Sequence, residues 1–456
     1  MRLQQHLQFL TLSGLLTAST LGADLPVLNL ADAVGRALNR RAAIPAAEAR
    51  LRGAEGLTAQ ARAHPNPAFT FQMENWRFGG SPEFQPADDV DYFAYLSQRI
   101  ETGGKRARRT DVGKQNTGLA ALELRLLKWN IRQEVRRAYY RALLVQKQLQ
   151  LTTENNESFQ QIVEYHRFRV REGAMAEADL VKVELEASRQ GLELENRALE
   201  GERSRFDLLK TMGESSTTAH FQLADPGMIL LPGVSTPAPA AVVKSTLDSS
   251  ARPPALTSST AAGSLEALLQ VARQERLEVL FSHAMVEAAR AKLSLDQSQA
   301  HPDWSVLWGY KRTAGFNTLM AGISVPLPFF DRNQGAIASG SSELERAQSL
   351  LRATLADVET EVAAALGQLR RRYAMLSQVR KRVLDQAEES FRISLAAYQE
   401  GGTDLLRLLD AQRARNEVRS LQTQAEMACQ ASLVDLEAAV GHEDLSISQE
   451  LLHDIR

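Results

Sequence analysis

Residues 303–335 read DWSVLWGYKRTAGFNTLMAGISVPLPFFDRNQG. Over the first ten, Trp304, Val306, Trp308 and Tyr310 alternate with smaller or polar residues. From Thr318, Leu319, Ala321, Ile323 and Val325 do the same. An alternation of period two is the mark of a strand with one apolar face. The stretch therefore predicts two strands, over about 303–312 and 317–326. Pro326 and Pro328 lack the backbone donor a sheet ladder needs and stop the second one. From Gln334 the period changes. No proline follows in the given sequence, and Leu344, Leu351, Leu355, Val358, Val362 and Leu366 recur at helical spacings. A strand pair thus runs straight into a helix over 334–399, about 100 Å long at 1.5 Å per residue. A helix of that length cannot fold into a globule. It needs partner helices along its whole length.

The same script occurs earlier in the chain. Strands are expected over about 68–77, where Phe69, Phe71 and Met73 alternate with Thr70, Gln72 and Glu74, and over 91–100. A proline-free helix then spans 105–171, with Leu119, Leu122, Leu126, Trp129, Val135, Tyr139 and Leu143 on its apolar side. His64-Pro65 precedes the first strand pair and His301-Pro302 the second. Glu172-Gly173 and Glu400-Gly401 break the long helices, and the returning helices are expected over 175–212 and 403–440. They end at Gly213 and Gly441. Both of these glycine pairs are separated by 228 residues. A constant offset across a whole arm implies duplication of one unit.

The chain divides accordingly. Residues 27–214 form one repeat and 264–445 the other. The intervening 215–263 is rich in Pro, Ser, Thr and Ala and reads as a linker without regular helix. Residues 446–456 are a tail. Residues 1–23 read as a secretory signal, with Arg2, a short apolar run from Leu7 to Leu16, and a small-residue cleavage site at Gly22-Ala23. No later run reaches the ~18 apolar residues of a membrane helix, so a membrane location requires a β-barrel. Four strands cannot close one, and open edges in lipid leave backbone groups unpaired. Several protomers must contribute. Twelve strands from three chains fit, although strand counting alone leaves the number open.

Composition narrows the function. A formal charge of −2 over 456 residues gives no general attraction to nucleic acid. One cysteine, Cys429, excludes an internal disulfide and a multi-cysteine zinc site. The histidines are scattered, so no metal site is expected. No phosphate loop, nucleophile elbow or His/carboxylate constellation is present, and neither an enzyme activity nor a cofactor is expected.

Four motifs resemble the TolC-type outer-membrane efflux family, and within it the branch paired with heavy-metal (cobalt–zinc–cadmium) resistance pumps. They are His64-Pro65-Asn66-Pro67; Ile100-Glu101-Thr102-Gly103-Gly104-Lys105-Arg106; Val325-Pro326-Leu327-Pro328-Phe329-Phe330-Asp331-Arg332-Asn333-Gln334-Gly335; and Tyr398-Gln399-Glu400-Gly401 with Leu408-Leu409-Asp410-Ala411-Gln412. The resemblance implies a mainly α fold with a small β part, assembled as a homotrimer. Four strands per protomer would enter a 12-stranded transmembrane barrel, and the helical hairpins would form a coiled-coil periplasmic tunnel. It also implies a passive exit duct for an inner-membrane proton-driven RND pump, joined through a periplasmic adaptor protein. The hairpin tips, with Gly173, Ala174, Gly401, Gly402 and Thr403, would meet the adaptor. Just past them, Asp179, Lys182, Arg407 and Asp410 are the implied gate, Arg407 standing where the family often carries an acid. Gly103, Gly104, Lys105, Pro326, Pro328, Arg332, Asn333 and Gly335 would make the barrel-to-helix junction, where Lys105, Arg106 and Arg332 would face the periplasmic side of the barrel near the lipid headgroups. The alternatives are a multidrug or polypeptide-secretion channel, or a coiled-coil scaffold without a barrel.

Overall fold

The computed structural model describes residues 26–77, 84–85, 89–173, 175–215, 220–227 and 265–443. The expected signal segment, the tail, Ala174 and most of the linker lie outside these residues. The chain runs β1 (Val27–Leu28), α1 (Leu30–Arg40), α2 (Ala43–Ala61), β2 (Ala68–Glu74), β3 (Asp91–Ile100), α3 (Lys105–Arg171) and α4 (Glu177–Met212). It continues through β4 (Gln222–Leu223), α5 (Leu265–Glu275), α6 (Leu277–Gln299), β5 (Trp304–Thr313), β6 (Phe316–Ser324) and α7 (Gln334–Gln378). A π-helical turn (Val379–Val383), α8 (Leu384–Gln399) and α9 (Leu405–Val440) complete it.

The fold is mostly helical with a small sheet, and the element order helix–helix–strand–strand–long helix–returning helix occurs twice. The four-stranded sheet has the order β2-β3-β5-β6, all antiparallel, so each repeat supplies a hairpin and the two meet at β3–β5. All four junctions with helices lie at one end of this sheet. Trp304 and Ile100 are register partners there, whereas Asp91 and Thr313 lie at the far end.

Below the sheet, α3 packs in turn against α2, α6, α1, α4 and α9. Its neighbours change along its 67 residues, so its apolar residues drift around the axis instead of forming one stripe. Near the middle of the helices, Ile131, Val135, Tyr139 and Leu143 form a core with Ala33, Ala37, Leu208 and Met212. The matching core of the second repeat joins Leu268 and Ala272 to Val362, Leu366, Leu369, Leu433 and Leu436. Gly213 and Gly441 end α4 and α9 with φ of 75° and 81°. That left-handed conformation strains any residue with a Cβ. At Gly441 a Cβ would also sit 2.8 Å from the Arg276 Cα.

Three local features refine this plan. The helix expected over 334–399 is interrupted by the π turn, which shifts the helical register between α7 and α8. The linker carries β4, which pairs in parallel with β1. Tyr139 holds that pair, its hydroxyl lying 2.9 Å from the Leu28 carbonyl and 2.6 Å from that of Ala224. Finally, β2 stops at Glu74, short of residue 77, and Asn75 turns the chain with φ of 62°.

Candidate functional site

Two regions carry the functional geometry. The first is the sheet. Residues directly opposite in a ladder share a face, so the register assigns every side chain. Phe69, Phe71, Met73, Leu96, Ile100, Trp304, Val306, Trp308, Tyr310, Leu319 and Ile323 fall on one face, with Gln98 and, toward the far end, Arg312 and Asn317 among them. Most of them are exposed. The other face carries Thr70, Gln72, Glu74, Ser97, Arg99, Ser305, Lys311, Thr318 and Ser324, with Phe93, Tyr95, Leu307 and Met320 among them. An uncovered apolar face backed by a largely polar one is the arrangement of a barrel wall between lipid and water. Strands of 9–10 residues span ~33 Å, or ~23 Å of bilayer at a 45° tilt, close to the ~25 Å apolar band of such barrels. Among the described residues no helix is long and apolar enough to cross a membrane.

At Gly309 the sheet needs glycine for space. A Cβ there would lie 2.3 Å from the Ala94 carbonyl oxygen and 2.4 Å from the Tyr95 Cβ. At the junction, Gly103 and Gly104 take φ of 61° and 71°, the latter opening α3. Lys105 donates to the carbonyl of His301 and to Asp303, both at 2.6 Å, and so ties one repeat to the other. In the second repeat, Pro326 and Pro328 follow the end of β6. Asn333, at φ 59°, precedes α7 and donates to the Asp296 carbonyl at 2.7 Å, with Gly335 in the first turn. The Arg332 guanidinium bonds the Pro328 carbonyl at 3.2 Å.

The second region is the pair of hairpin tips. Gly173 and Gly401 turn the chain with φ of 69° and 77°. Gly402 donates its N–H to the Ala397 carbonyl, and beyond Thr403 the Asp404 carboxylate caps α9 by accepting from the Arg407 N–H at 3.2 Å. Asp179 pairs with Lys182 at 3.1 Å, and Asp410 with Arg413 at 3.7 Å, each within its own helix. Among the described residues no ion pair joins Asp179 or Lys182 to Arg407 or Asp410.

The hairpins are instead joined by residues that sequence reasoning passed over. Arg413 of α9 donates to the buried Glu186 of α4 at 2.7 Å. Burial opposes ionisation of this carboxyl, but the bond and charge of Arg413, with help from Gln190 and Arg189, hold it below the usual carboxylate range. One layer nearer the tips, His166 of α3 is fully buried. It stacks on Tyr398 of α8 with ring centroids 5.8 Å apart. His166 Nδ1 lies 2.8 Å from the Ile162 carbonyl, which makes it the protonated nitrogen and leaves Nε2 to accept from the Tyr398 hydroxyl at 2.7 Å. Burial pushes the Tyr398 hydroxyl up from its ordinary value, Tyr165 and Asp179 add to this, and Arg169 opposes it. Around both contacts Phe159, Val163, Val183, Ala187, Leu405 and Leu409 close an apolar cluster. The repeat offset could not show these pairs, since it relates Tyr398 to Val170 and Arg413 to Leu185. The only sequence signal for Tyr398 is its place in the Tyr398-Gln399-Glu400-Gly401 motif. No group of three metal-binding side chains occurs among the described residues.

Comparison with known proteins agrees with this geometry. The profile of the outer membrane efflux protein family matches residues 33–214 and 268–442. The cobalt-zinc-cadmium resistance protein CzcC of Cupriavidus metallidurans is 26% identical over 394 residues, covering 86% of this chain and 85% of that protein. The outer membrane protein VceC of Vibrio cholerae superposes with a TM-score of 0.67 at 18% identity, covering 91% of this chain and 96% of its own. The CmeC outer membrane channel of Campylobacter jejuni gives 0.69 at 13% identity, covering 90% and 85%. A twofold helix–strand–helix plan, a sheet with one bare apolar face and a family match over most of the chain place this protein in the outer membrane efflux family, as a channel of the outer membrane that extends into the periplasm.

Proposed function

We propose that three copies of this chain form the exit duct of a tripartite pump, with a closed 12-stranded barrel in the outer membrane and a helical tunnel below it. The observation that carries the reading is the pair of open sheet edges. In the order β2-β3-β5-β6, β2 and β6 each have one unpaired side, beside an apolar face that belongs in lipid. An unpaired edge there is costly. Pairing β2 of one copy with β6 of the next removes it. The helices support the same assembly. Val181, Leu185, Leu192, Leu199 and Phe206 stand exposed on α4, the last four spaced seven apart, and Ile393 is exposed on α8. Seven-residue spacing is that of a seam awaiting a neighbouring helix.

The tips reach furthest from the membrane and are the surface for the periplasmic adaptor, which in turn contacts the inner-membrane pump. The side chains around Asp179, Lys182, Arg407 and Asp410 ring the narrow end, and the inter-hairpin contacts behind them hold it closed. Divalent heavy-metal cations are the cargo, on the strength of the relative named for cobalt, zinc and cadmium resistance. The test is fractionation of expressing cells, native mass of the detergent-extracted protein, and growth of a deletion strain on zinc, cobalt and cadmium. An outer-membrane trimer whose loss sensitises cells to these metals is expected. A soluble species would overturn the channel, and unchanged metal tolerance with lost drug tolerance would overturn the cargo.

A further inference from the structure

The apolar face of the sheet does not end with the sheet. On β6 it is carried by the odd-numbered residues Leu319, Ala321 and Ile323, and pairing stops at Ser324. The odd positions that follow are Val325, Leu327 and Phe329, and Phe330 comes next. Leu327 is 68% exposed, Phe329 70% and Phe330 95%. Three large apolar side chains thus project beyond the last ladder bond, on the helix side of the barrel. The first repeat has nothing like them. There the stretch after β3 is Glu101-Thr102-Gly103-Gly104, and its polar groups are used within the protein, Glu101 by Arg109 and Thr102 by Asp303.

The segment is also held. Phe329 donates its N–H to the Leu327 carbonyl at 2.9 Å, and Arg332 and Gln334 reach back to the carbonyls of Pro328 and Phe330, both at 3.2 Å. Asn333 donates its N–H to the Asp331 carboxylate at 2.8 Å and fastens the loop to α6 through the Asp296 carbonyl. Prolines 326 and 328 fix φ and carry no N–H to satisfy. A loop with one N–H and three carbonyls bonded internally, two prolines without a donor, and its apolar side chains turned outward is suited to a low-dielectric boundary.

We propose that residues 325–330 form an interfacial finger, one per protomer, that lies in the periplasmic leaflet of the outer membrane and fixes the height of the barrel. The occupant of this patch is phospholipid, at the boundary of headgroups and acyl chains. The stripe is continuous with the lipid-facing row of β6. Aromatic side chains favour that depth, and the exposed Arg332 sits two residues on, placed to meet phosphate. The inference rests on the outer-membrane barrel proposed above.

A nitroxide at a single introduced cysteine tests it. Cys429, the one native thiol, is fully buried, and burial raises its pKa to about 11, so it does not compete for label. The variants Leu327→Cys and Phe330→Cys are labelled in the full-length protein, reconstituted into vesicles of phosphatidylethanolamine and phosphatidylglycerol. Collision rates are measured with oxygen, which concentrates in acyl chains, and with a water-soluble nickel chelate. Leu319→Cys, on the barrel face, is the control. The finger predicts that oxygen outweighs the chelate at 327 and 330, as at 319. Chelate access at 327 and 330 with oxygen dominant at 319 would place the loop in water and overturn the proposal. Low access to both reagents would bury it against a neighbouring copy and also overturn it. Chelate access at 319 itself would instead sink the barrel reading on which it rests.

Discussion

Replacing Arg413 with alanine should loosen the hairpin tips of the proposed closed duct. Glu186 is buried and its carboxylate accepts from Arg413 at 2.7 Å, whereas the Arg413 side chain is half exposed. Removing one partner of a fully buried pair costs about 3–5 kcal/mol, and an exposed pair contributes about 0–1 kcal/mol. With one partner on each side of that divide, and Arg189 at 3.7 Å keeping part of the compensation, about 1–2 kcal/mol is expected. If the contact is present only when the two hairpins are closed, the open fraction rises about 5–30-fold. Single-channel conductance in planar bilayers reads this directly. Glu186→Gln should have a smaller effect, because a neutral amide is cheaper to bury than an unpaired charge, and the double variant should be less than additive. The pH sign follows from the lowered Glu186 value. The pair is complete above the ordinary glutamate range, about pH 4.3, and is lost as pH falls through the lower folded value. Opening should therefore increase only in strong acid in the wild type, and Arg413→Ala should abolish that dependence. An Arg413→Ala channel with wild-type conductance and pH profile would refute the reasoning.

Other substitutions test separate parts of the structure. Tyr139→Phe removes the hydroxyl that lies against the Leu28 carbonyl of β1 and the Ala224 carbonyl just past β4, and should cost about 1–2 kcal/mol, read as a lower Tm of the detergent-solubilised protein. Gly309→Val places side-chain atoms where a Cβ already meets backbone, so SDS-resistant trimers should fail to form. An unchanged trimer would show that β3 and β5 separate more easily than the register implies. Tyr398→Phe keeps the ring stack on His166 but removes the hydroxyl donor, and should raise channel opening by less than Arg413→Ala. Asp303→Ala leaves Lys105 without its carboxylate and the Thr102 N–H without an acceptor, so thermal stability should fall by about 1–3 kcal/mol while conductance per open channel stays unchanged.

What the sequence by itself determined was local and periodic. The lack of proline from 105 to 171 permits one continuous α3, and the alternation at Trp304, Val306, Trp308 and Tyr310 commits one face of β5. Glycines at 173, 213, 401 and 441 could be read as helix ends because only a residue without Cβ takes their positive φ freely. The repeat was visible because duplication leaves an offset. Tertiary structure decided whatever depended on which faces meet. Glu186 and Arg413 are 227 residues apart, and His166 and Tyr398 are 232 apart. No periodicity links such positions, since their contact depends on the packing of α3, α4, α8 and α9 near the tips. Of the gate residues that the resemblance implied, Asp179 pairs with Lys182 and Asp410 with Arg413 inside single helices, because i, i+3 proximity is guaranteed by the helix while cross-hairpin contact is not. The π turn at 379–383 and the two-residue β1–β4 ladder are likewise set by packing, where a register shift or a distant carbonyl satisfies neighbours that the local sequence does not contain.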